Sequence, residues 1–214
     1  MLALFDLDGT ITRHDTLLSY LCGFLRDHPR RLARTPGALA ALVRFALGSA
    51  DRGTLKAAAI RALMGGCTHA EAQSWTARFV PQLIAHGLHA AAVETIERHR
   101  SAGDTLVLLS ASPDLYVPAV GRALGFTDSL CTGVLWCGDR LEGALTTANR
   151  RGAEKARCLA ALRSEYPQLP IVAYANAASD LEHLALADRG VLVNGSWRAR
   201  RAAARRGIRC VTWR

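Results

Sequence analysis

The sequence predicts an α/β protein in which a parallel β-sheet lies between two layers of helices and a helical segment interrupts the chain. Two observations lead to this prediction. From about residue 89 onward, short apolar runs alternate with stretches of helical spacing, which is typical of a parallel sheet covered on both faces. Between about residues 15 and 88, apolar residues recur only at helical spacing. The core is therefore predicted at 1–14 and 89–214, with a helical insertion at 15–88.

The first predicted element is a buried strand in the apolar run of residues 2–7, which leads into acidic residues and a glycine. The insertion follows, and its helical spacing is clearest in two groups of residues. These are Leu17, Leu18, Leu21, Phe24 and Leu25, and then Leu39, Leu42, Val43, Phe45 and Ala46. Because no strand-like alternation occurs here, the segment is predicted to form several short helices.

The rest of the chain is predicted to alternate between helices and strands. Helices are predicted at 90–100, 116–124, 154–163 and 181–187, strands at 105–109, 171–174 and 190–193, and a hairpin of 130–136 with 141–147 around Gly138-Asp139. In open parallel sheets, the ligand crevice lies beyond the carboxyl ends of the strands. Functional side chains are therefore expected where the strands end, and the first strand ends at Asp6.

Composition limits the kinds of partner. The formal net charge of the 214 residues is +9, with Lys56 and Lys155 as the only lysines, which favours anionic ligands. No zinc-finger spacing, aromatic-rich RNA signature or basic zipper accompanies this charge, so no specific nucleic-acid binding is predicted. The six cysteines lack CxxC spacing, the N-terminus has no leader pattern, and no apolar run reaches the roughly 18 residues of a membrane span. A cytoplasmic protein is expected.

The strongest chemical signal is the pair of carboxylates Asp6 and Asp8 directly after the first strand. Two carboxylates so close together repel each other, and a bound cation relieves this repulsion. One of them can act as a nucleophile and magnesium ligand while the other transfers protons. Gly9 permits a tight turn, and the Thr10 hydroxyl can position either the loop or a phosphate oxygen.

The segment of residues 5–10, Phe-Asp-Leu-Asp-Gly-Thr, resembles the first motif of the haloacid-dehalogenase-like (HAD) hydrolases. Phosphatases of that family form an aspartyl-phosphate intermediate. The resemblance implies a Rossmann-like three-layer sandwich, Asp6 as the nucleophile and Asp8 as the general acid and base. It also implies Mg²⁺ as the cofactor.

The resemblance implies further phosphate-binding residues after the later strands. Ser110 follows the strand at 105–109, where its hydroxyl and the next backbone N–H, that of Ala111, can bind phosphate oxygens together with Thr10. Ser110 is also a common type of helix cap. The family then places a cation near the start of a helix, and Lys155 is favoured over Arg151 for this catalytic and phosphate-binding role.

The acidic loop departs from the family pattern. Where the family usually has Gly-Asp-Ser-x-x-Asp, this chain has Ala175, Asn176, Ala177 and, at the last position, Asp180. An Asn oxygen can bind a hard cation but carries no charge, so weaker magnesium binding is expected. The predicted metal ligands are Asp6, Asp8, Asn176 and Asp180.

The position of the insertion resembles a C1 cap, as in the family branch (subfamily IB) that contains phosphoserine phosphatase and phosphatidylglycerophosphatase C. Asp15 and Arg13 are predicted to face the leaving group of the substrate. The segment 30–47 combines an apolar helical face with arginines, which fits either packing within the cap or peripheral contact with an anionic membrane.

Three functions follow from these patterns. The favoured one is a Mg²⁺-dependent phosphatase acting on a phosphorylated small molecule. The alternatives are a phosphatase of lipid head groups at the membrane surface and a phosphoryl-binding protein of low turnover, the latter motivated by Asn176 and Ala177. The sequence makes no prediction of the natural substrate or the oligomeric state.

Overall fold

The structure is a computed structural model that describes residues 1–214, except for the side chains of residues 34, 35 and 38. Its main sheet has six parallel strands in the order β3-β2-β1-β6-β7-β8. These strands are β1 (Leu2–Phe5), β2 (Thr105–Pro113), β3 (Asp128–Thr132), β6 (Ile171–Ala175), β7 (Arg189–Val193) and β8 (Arg209–Val211). The hairpin consists of β4 (Val134–Cys137) and β5 (Arg140–Leu145). The predicted α/β fold with a parallel sheet is confirmed.

Helices cover both faces of the sheet and fill the segment between β1 and β2. In chain order they are α1 (Thr16–Asp27), α2 (Thr35–Ala46), α3 (Arg52–Met64), α4 (His69–His86), α5 (Ala90–Ser101), α6 (Val117–Ala123), α7 (Ala153–Glu165), α8 (Leu181–Leu186) and α9 (Trp197–Ala204). Short 3₁₀ turns occupy Pro29–Arg34 and Ala178–Asp180. Within the described residues, no helix is both long and apolar enough to cross a membrane.

The first strand runs through the middle of the sheet. β1 pairs in parallel with β2 on one side and β6 on the other, and its four residues are buried because helices cover both faces. One hydrophobic core lies on the α1, α4, α5 and α6 side of the sheet, and the other on the α7, α8 and α9 side. Asp6 therefore leaves the sheet at its centre, between the carboxyl ends of β2 and β6.

An aromatic cluster holds the helical insertion over these strand ends. Tyr20 of α1 packs against Phe79 of α4, and against Tyr116, which precedes α6 in the core, with ring centroids 5.0 and 4.5 Å apart. The Tyr20 hydroxyl also hydrogen-bonds to Thr76 at 2.7 Å. These contacts fix α1 and α4 relative to the core. The predicted boundaries at residues 15 and 88 remain a prediction.

The predicted hairpin has different strands from those expected. The apolar run 130–136 is not one strand, because Gly133 separates β3, which joins the main sheet, from β4, which pairs with β5. A Cβ atom at Gly133 would lie 2.3 Å from the Thr146 hydroxyl, so only glycine fits where the chain changes sheets. The turn at Gly138-Asp139 lies where it was predicted.

The C-terminal region forms two elements that the sequence did not predict. The basic segment after Ser196 folds as α9, whose Ala199 and Ala203 side chains are buried one turn apart while Arg198 and Arg201 are exposed. β8 then pairs with β7 at the sheet edge. The buried stripe of this helix consists of alanines. The sequence did not predict it, because alanine contributes little to a hydropathy pattern that is dominated by arginine.

Candidate active site

Asp6 lies at the carboxyl end of the central strand with both carboxylate oxygens engaged. Oδ1 accepts a hydrogen bond from Lys155 Nζ at 2.6 Å, and Oδ2 accepts one from the Thr10 hydroxyl at 3.0 Å. The backbone N–H of Asp6 donates to the Tyr174 carbonyl at 2.9 Å, which continues the β1–β6 pairing up to the site. These contacts fix the orientation of the carboxylate towards the cavity.

Lys155 is a buried cation placed between two carboxylates. It lies in the first turn of α7, and its Nζ is 3.4 Å from Asp180 Oδ1 in addition to its contact with Asp6. Burial alone would lower the pKa of Lys155, but the two carboxylates outweigh this effect and raise it, so the ammonium stays charged. Arg151, the alternative cation, lines the same cavity but makes no ion pair with Asp6 among the described residues.

Asp8 points away from the Asp6–Lys155 pair and towards the helical insertion. Its Oδ1 accepts hydrogen bonds from the Thr16 N–H at 2.7 Å and the Thr16 hydroxyl at 2.6 Å. Its Oδ2 accepts one from the Ser112 hydroxyl at 2.7 Å. Burial raises the pKa of Asp8 to about 6, although these hydrogen bonds oppose the shift. A carboxyl group with this pKa can both donate and accept a proton near neutral pH.

The loop after β6 brings Asn176 against the loop after β1. Gly9 has a φ of +72°, and a Cβ atom there would lie only 2.0 Å from Asn176 Nδ2, so glycine is required for both backbone and space. Asp180 is buried beside Lys155. Asp6, Asn176 and Asp180 thus line the cavity together.

This donor set offers oxygen atoms only, which fits a hard divalent cation such as Mg²⁺. Two buried carboxylates, Asp6 and Asp180, face one ammonium group, so the cluster has an excess of negative charge that a cation can offset. Across the described residues, no three His, Cys, Asp or Glu side chains form a metal cluster by themselves. The third oxygen-bearing side chain of the set, Asn176, is an amide in place of a carboxylate.

The predicted phosphate-binding residues Ala111, Ser110 and Thr10 differ in their contacts and in their access to the cavity. Ala111 lines the cavity. Ser110 is completely buried, and its hydroxyl accepts a hydrogen bond from the Ser112 N–H at 3.0 Å, within β2 rather than at a helix cap. Of the two roles considered for the Thr10 hydroxyl, the geometry favours positioning the loop, because it donates to Asp6 and is buried.

Of the two residues predicted to face the leaving group, only Asp15 lines the cavity. It also caps α1, because its Oδ1 accepts hydrogen bonds from the N–H groups of Leu17 and Leu18 at 2.9 and 3.2 Å. Arg13 is not among the residues that line the cavity, and its contact with the leaving group stays a prediction. Its Nε donates to the Leu88 carbonyl at 3.0 Å, because the chain passes there from core to insertion.

The cavity has a volume of about 560 Å³ and two chemically different ends. The charged end contains Asp6, Asp8, Lys155, Asn176 and Asp180. The other end is formed by leucines and an alanine of the insertion, namely Leu17, Leu18, Leu21, Leu42, Leu55, Ala59 and Leu63. A bound molecule would therefore meet carboxylates and a cation at one side and apolar groups at the other.

Lys56 also lines the cavity, and no role was predicted for it from the sequence. From α3 its Nζ donates to the Ala111 carbonyl, and to Asn149 Oδ1 at 2.6 Å. Burial lowers the pKa of Lys56 to about 8, although the charges of Asp8 and Asp15 oppose the shift. The scarcity of lysine was the one signal in the sequence that could have drawn attention to it.

Ser112 and Thr16 were also missed, although they hold Asp8 through three hydrogen bonds. Thr16 in turn hydrogen-bonds to the Tyr116 hydroxyl at 2.8 Å, which joins the insertion to the core directly above Asp8. These residues come from three separate segments. No local sequence pattern brings them together.

The fold and the site define a hydrolase of the phosphatase type. The chain belongs to the haloacid dehalogenase-like hydrolase family, whose pattern it matches over residues 3–185. The predicted family and enzyme class are thereby confirmed. The match ends within α8, so β7, α9 and β8 lie outside it.

Individual relatives agree with this assignment. Protein CicA of Caulobacter vibrioides is 33% identical over 190 residues, which cover 88% of this chain and 83% of that protein. A protein named phosphoserine phosphatase SerB1, from Mycobacterium tuberculosis, is 25% identical over 96% of this chain and 68% of its own. A Bordetella pertussis crystal structure, described as a protein with unknown function, shares the fold with a TM-score of 0.83 at 22% identity, covering 98% of this chain and 97% of that one.

Proposed function

We propose that the protein is a Mg²⁺-dependent phosphatase that hydrolyses a phosphate monoester through a covalent aspartyl-phosphate on Asp6. The observation that carries this proposal is the buried ion pair between Asp6 Oδ1 and Lys155 Nζ, 2.6 Å apart at the end of the central strand. A nucleophile held in one orientation by a cation and a hydroxyl needs little reorganisation before it attacks.

In the first half-reaction, Asp6 attacks the phosphorus atom, and the bond between phosphorus and the leaving oxygen breaks. Asp8, in its carboxylic acid form, donates its proton to that oxygen, so that an alcohol leaves. The pKa of about 6 supports this role, because a useful fraction of Asp8 is protonated near neutral pH. Lys155 offsets the negative charge of the transferring phosphoryl group.

In the second half-reaction, the Asp8 carboxylate accepts a proton from a water molecule, and the water oxygen attacks phosphorus. The bond between phosphorus and Asp6 breaks, which releases inorganic phosphate and restores both carboxyl groups. Thr16 and Ser112 keep Asp8 oriented for both proton transfers, since each donates hydrogen bonds to its carboxylate.

For the metal, we propose Asp6, Asn176 and Asp180 as the side chains that hold Mg²⁺. When bound, Mg²⁺ would offset the charge of the phosphate group and of Asp6. Both oxygens of the Asp8 carboxylate already accept hydrogen bonds from the protein, so a ligand role for Asp8 stays a prediction. An Asn176→Asp variant should bind Mg²⁺ more tightly, because it adds a third carboxylate.

The test is phosphate release from p-nitrophenyl phosphate with Mg²⁺ and with EDTA. We expect activity in the wild type with Mg²⁺ and a loss of roughly a thousandfold or more in Asp6→Asn, since the amide is not a nucleophile. Mass spectrometry of acid-quenched enzyme should detect a phosphoryl adduct on Asp6. Full activity in Asp6→Asn would refute the mechanism, and a turnover far below that of ordinary phosphatases would favour the phosphoryl-binding alternative.

A second candidate concerns the substrate, and the leucine-rich end of the cavity favours it. Leu18 and Leu42 line the cavity and are also exposed at the surface, so apolar surface continues from the cavity to the outside of the insertion. An amphiphilic substrate could place its phosphate at Asp6 and extend its apolar chain along these leucines. It would then contact both the charged end of the cavity and the apolar surface of the insertion. The apolar end of the cavity therefore favours a lipid phosphate as the substrate over phosphoserine, which is the substrate in the name of the relative SerB1.

Chain length is the variable that tests this second candidate. We expect kcat/KM to rise along a series of n-alkyl phosphates, by roughly threefold for each buried methylene group, and to be low for phosphoserine. A Leu63→Gln variant should flatten this dependence, whereas Leu186→Gln, an exposed leucine outside the cavity, should not. Preference for phosphoserine would refute the amphiphilic substrate but leave the Asp6 mechanism intact.

A further inference from the structure

A second cavity lies beside α5. Its volume is about 400 Å³, and it shares no lining residue with the catalytic cavity. One wall is α5, and the other is the face of β6, β7 and β8. Arg189 and Arg209, the first residues of β7 and β8, belong to its lining.

Three arginines give this groove a positive charge. They are Arg98 of α5, Arg189 and Arg209, and all three are exposed. Arg98 donates one hydrogen bond to the Thr95 hydroxyl at 2.8 Å, and in the described part of the chain none of the three forms a salt bridge. The carboxylate in the lining, that of Asp104, is already paired with the Met1 ammonium and with His99, each at 2.7 Å.

The base of the groove is aromatic and apolar. Tyr174 and Trp213 line it with ring centroids 5.6 Å apart, and Val191 and Val211 lie beside them. The Tyr174 hydroxyl is hydrogen-bonded to His99 Nε2 at 2.9 Å.

The three arginines act together on this hydroxyl. Burial raises the pKa of Tyr174, and the positive charges of Arg189, Arg98 and Arg209 each oppose the shift. All three guanidinium groups therefore lie near enough to the Tyr174 hydroxyl to act on it electrostatically.

We propose that this groove is a binding site for a nucleoside phosphate. Arginine guanidinium groups pair with phosphate oxygens through two parallel hydrogen bonds, and three of them here lack an acidic partner in the described part of the chain. A planar base would lie against Tyr174, Trp213 and the two valines, of which Trp213 and Val191 are largely buried. Aromatic and aliphatic surfaces favour such stacking. The volume suits a ligand of this size. The groove is separate from the cavity at Asp6, since no residue lines both.

Calorimetric titration of ATP into the full-length Asp6→Asn protein tests the proposal, since that variant is expected not to hydrolyse the ligand. EDTA is present so that metal-dependent binding in the catalytic cavity is suppressed. We expect one ATP per chain, and binding weaker by roughly a hundredfold in Arg189→Gln/Arg209→Gln, as two charge-assisted contacts are lost. Arg122→Gln, which removes an exposed arginine of α6 remote from the groove, should bind ATP like the parent.

A second ligand and a tryptophan variant distinguish binding of the phosphates from binding of the base. Tripolyphosphate should bind at least roughly tenfold more weakly than ATP, because it lacks the stacked base. ATP should also quench tryptophan fluorescence in the parent but not in Trp213→Phe. Unchanged ATP affinity in the double arginine variant, equal affinity for tripolyphosphate, or no binding at millimolar ATP would each overturn the proposal.

Discussion

Lys155 is the residue on which the buried charges of the site depend. In a Lys155→Met variant, the Asp6 and Asp180 carboxylates would stay buried without their cation. We expect the free energy of unfolding, from urea titration in EDTA at pH 7, to fall by about 3–5 kcal/mol. Arg157→Met, on the exposed side of the same helix, should change it by less than about 0.5 kcal/mol.

A compensating change tests the cause of this destabilisation. Adding Asp180→Asn to Lys155→Met removes one of the two unpaired charges, and part of the lost stability should return. If Lys155→Met alone were as stable as the wild type, the ion pairs at 2.6 and 3.4 Å would not hold the site together.

Lys56 should make substrate binding sensitive to pH on the alkaline side. Because its pKa is lowered to about 8, the ammonium is charged below this pH and becomes neutral above it. The charged groups that act on it are Asp8, Asp15 and Arg151. If Lys56 contacts the anionic substrate, KM should rise roughly tenfold between pH 7 and 9.5 as the charge is lost.

Two variants of Lys56 serve as controls for this pH dependence. Lys56→Arg keeps its charge over the whole range, so its KM should stay flat. Lys56→Met should have a high KM at every pH in the range. A KM that rises equally in Lys56→Arg would assign the pH dependence to another group.

The residues of the candidate site differ in how far the sequence could predict them. Asp6 and Asp8 were found because the motif is local and follows an apolar strand. Asp180 was found because the segment after the predicted strand at 171–174 resembles the acidic loop of the family. Lys56 could not be found in this way, because its partners Ala111 and Asn149 are 55 and 93 residues away along the chain. Contacts between distant segments arise from the packing of the insertion on the core, which leaves no trace in local spacing.

At the scale of elements, the contact between the loops after β1 and β6 depends on Gly9. A Gly9→Ala change would place Cβ against the Asn176 side chain, at 2.0 Å from its Nδ2. We expect Asn176 to move and the Mg²⁺ concentration for half-maximal activity to rise at least roughly fivefold, because one ligand is displaced.

Gly103→Ala is the matched control for this change. Gly103 has nearly the same backbone angle, a φ of +73° against +72° for Gly9, but no atom lies within 4 Å of its added Cβ. Both variants should lose about 1 kcal/mol of stability from backbone strain, whereas the Mg²⁺ requirement should change only in Gly9→Ala. An equal change in both would mean that Asn176 does not act at the metal site.

The elements themselves were predictable where one periodicity dominated. β1 and the helices of the insertion were predicted from their apolar patterns, and the structure contains them. The run at 130–136 was predicted to be one strand because its hydropathy is continuous. Hydropathy carries no information about the change from one sheet to the other at Gly133. α9 was missed because its buried stripe consists of Ala199 and Ala203, which carry little hydropathy signal beside the arginines.

At the scale of the whole molecule, charge and apolar surface coincide on the helical insertion. Leu39, Val43 and Leu47, in and just after α2, are 62%, 50% and 77% exposed, and exposed Arg44 lies among them. The sequence predicted this combination for residues 30–47. It did not reveal that Leu42, of the same helix, also lines the catalytic cavity, since that depends on how α2 lies against α3. The apolar surface and the cavity opening are therefore on the same side of the protein.

If this side rests on an anionic bilayer, the protein should sediment with phosphatidylglycerol vesicles at low salt and much less with phosphatidylcholine vesicles. Binding should fall steeply when salt is raised to about 0.5 M, because the attraction between arginines and lipid head groups is then screened. Replacing Leu39, Val43 and Leu47 together by serine should weaken vesicle binding at least roughly tenfold, as their apolar surface can no longer enter the interface. Leu186→Ser, an equally exposed leucine on α8, should leave binding unchanged. If the triple variant bound the vesicles as well as the wild type does, charge alone would attract the protein to them. The amphiphilic substrate would then have to reach Asp6 from solution.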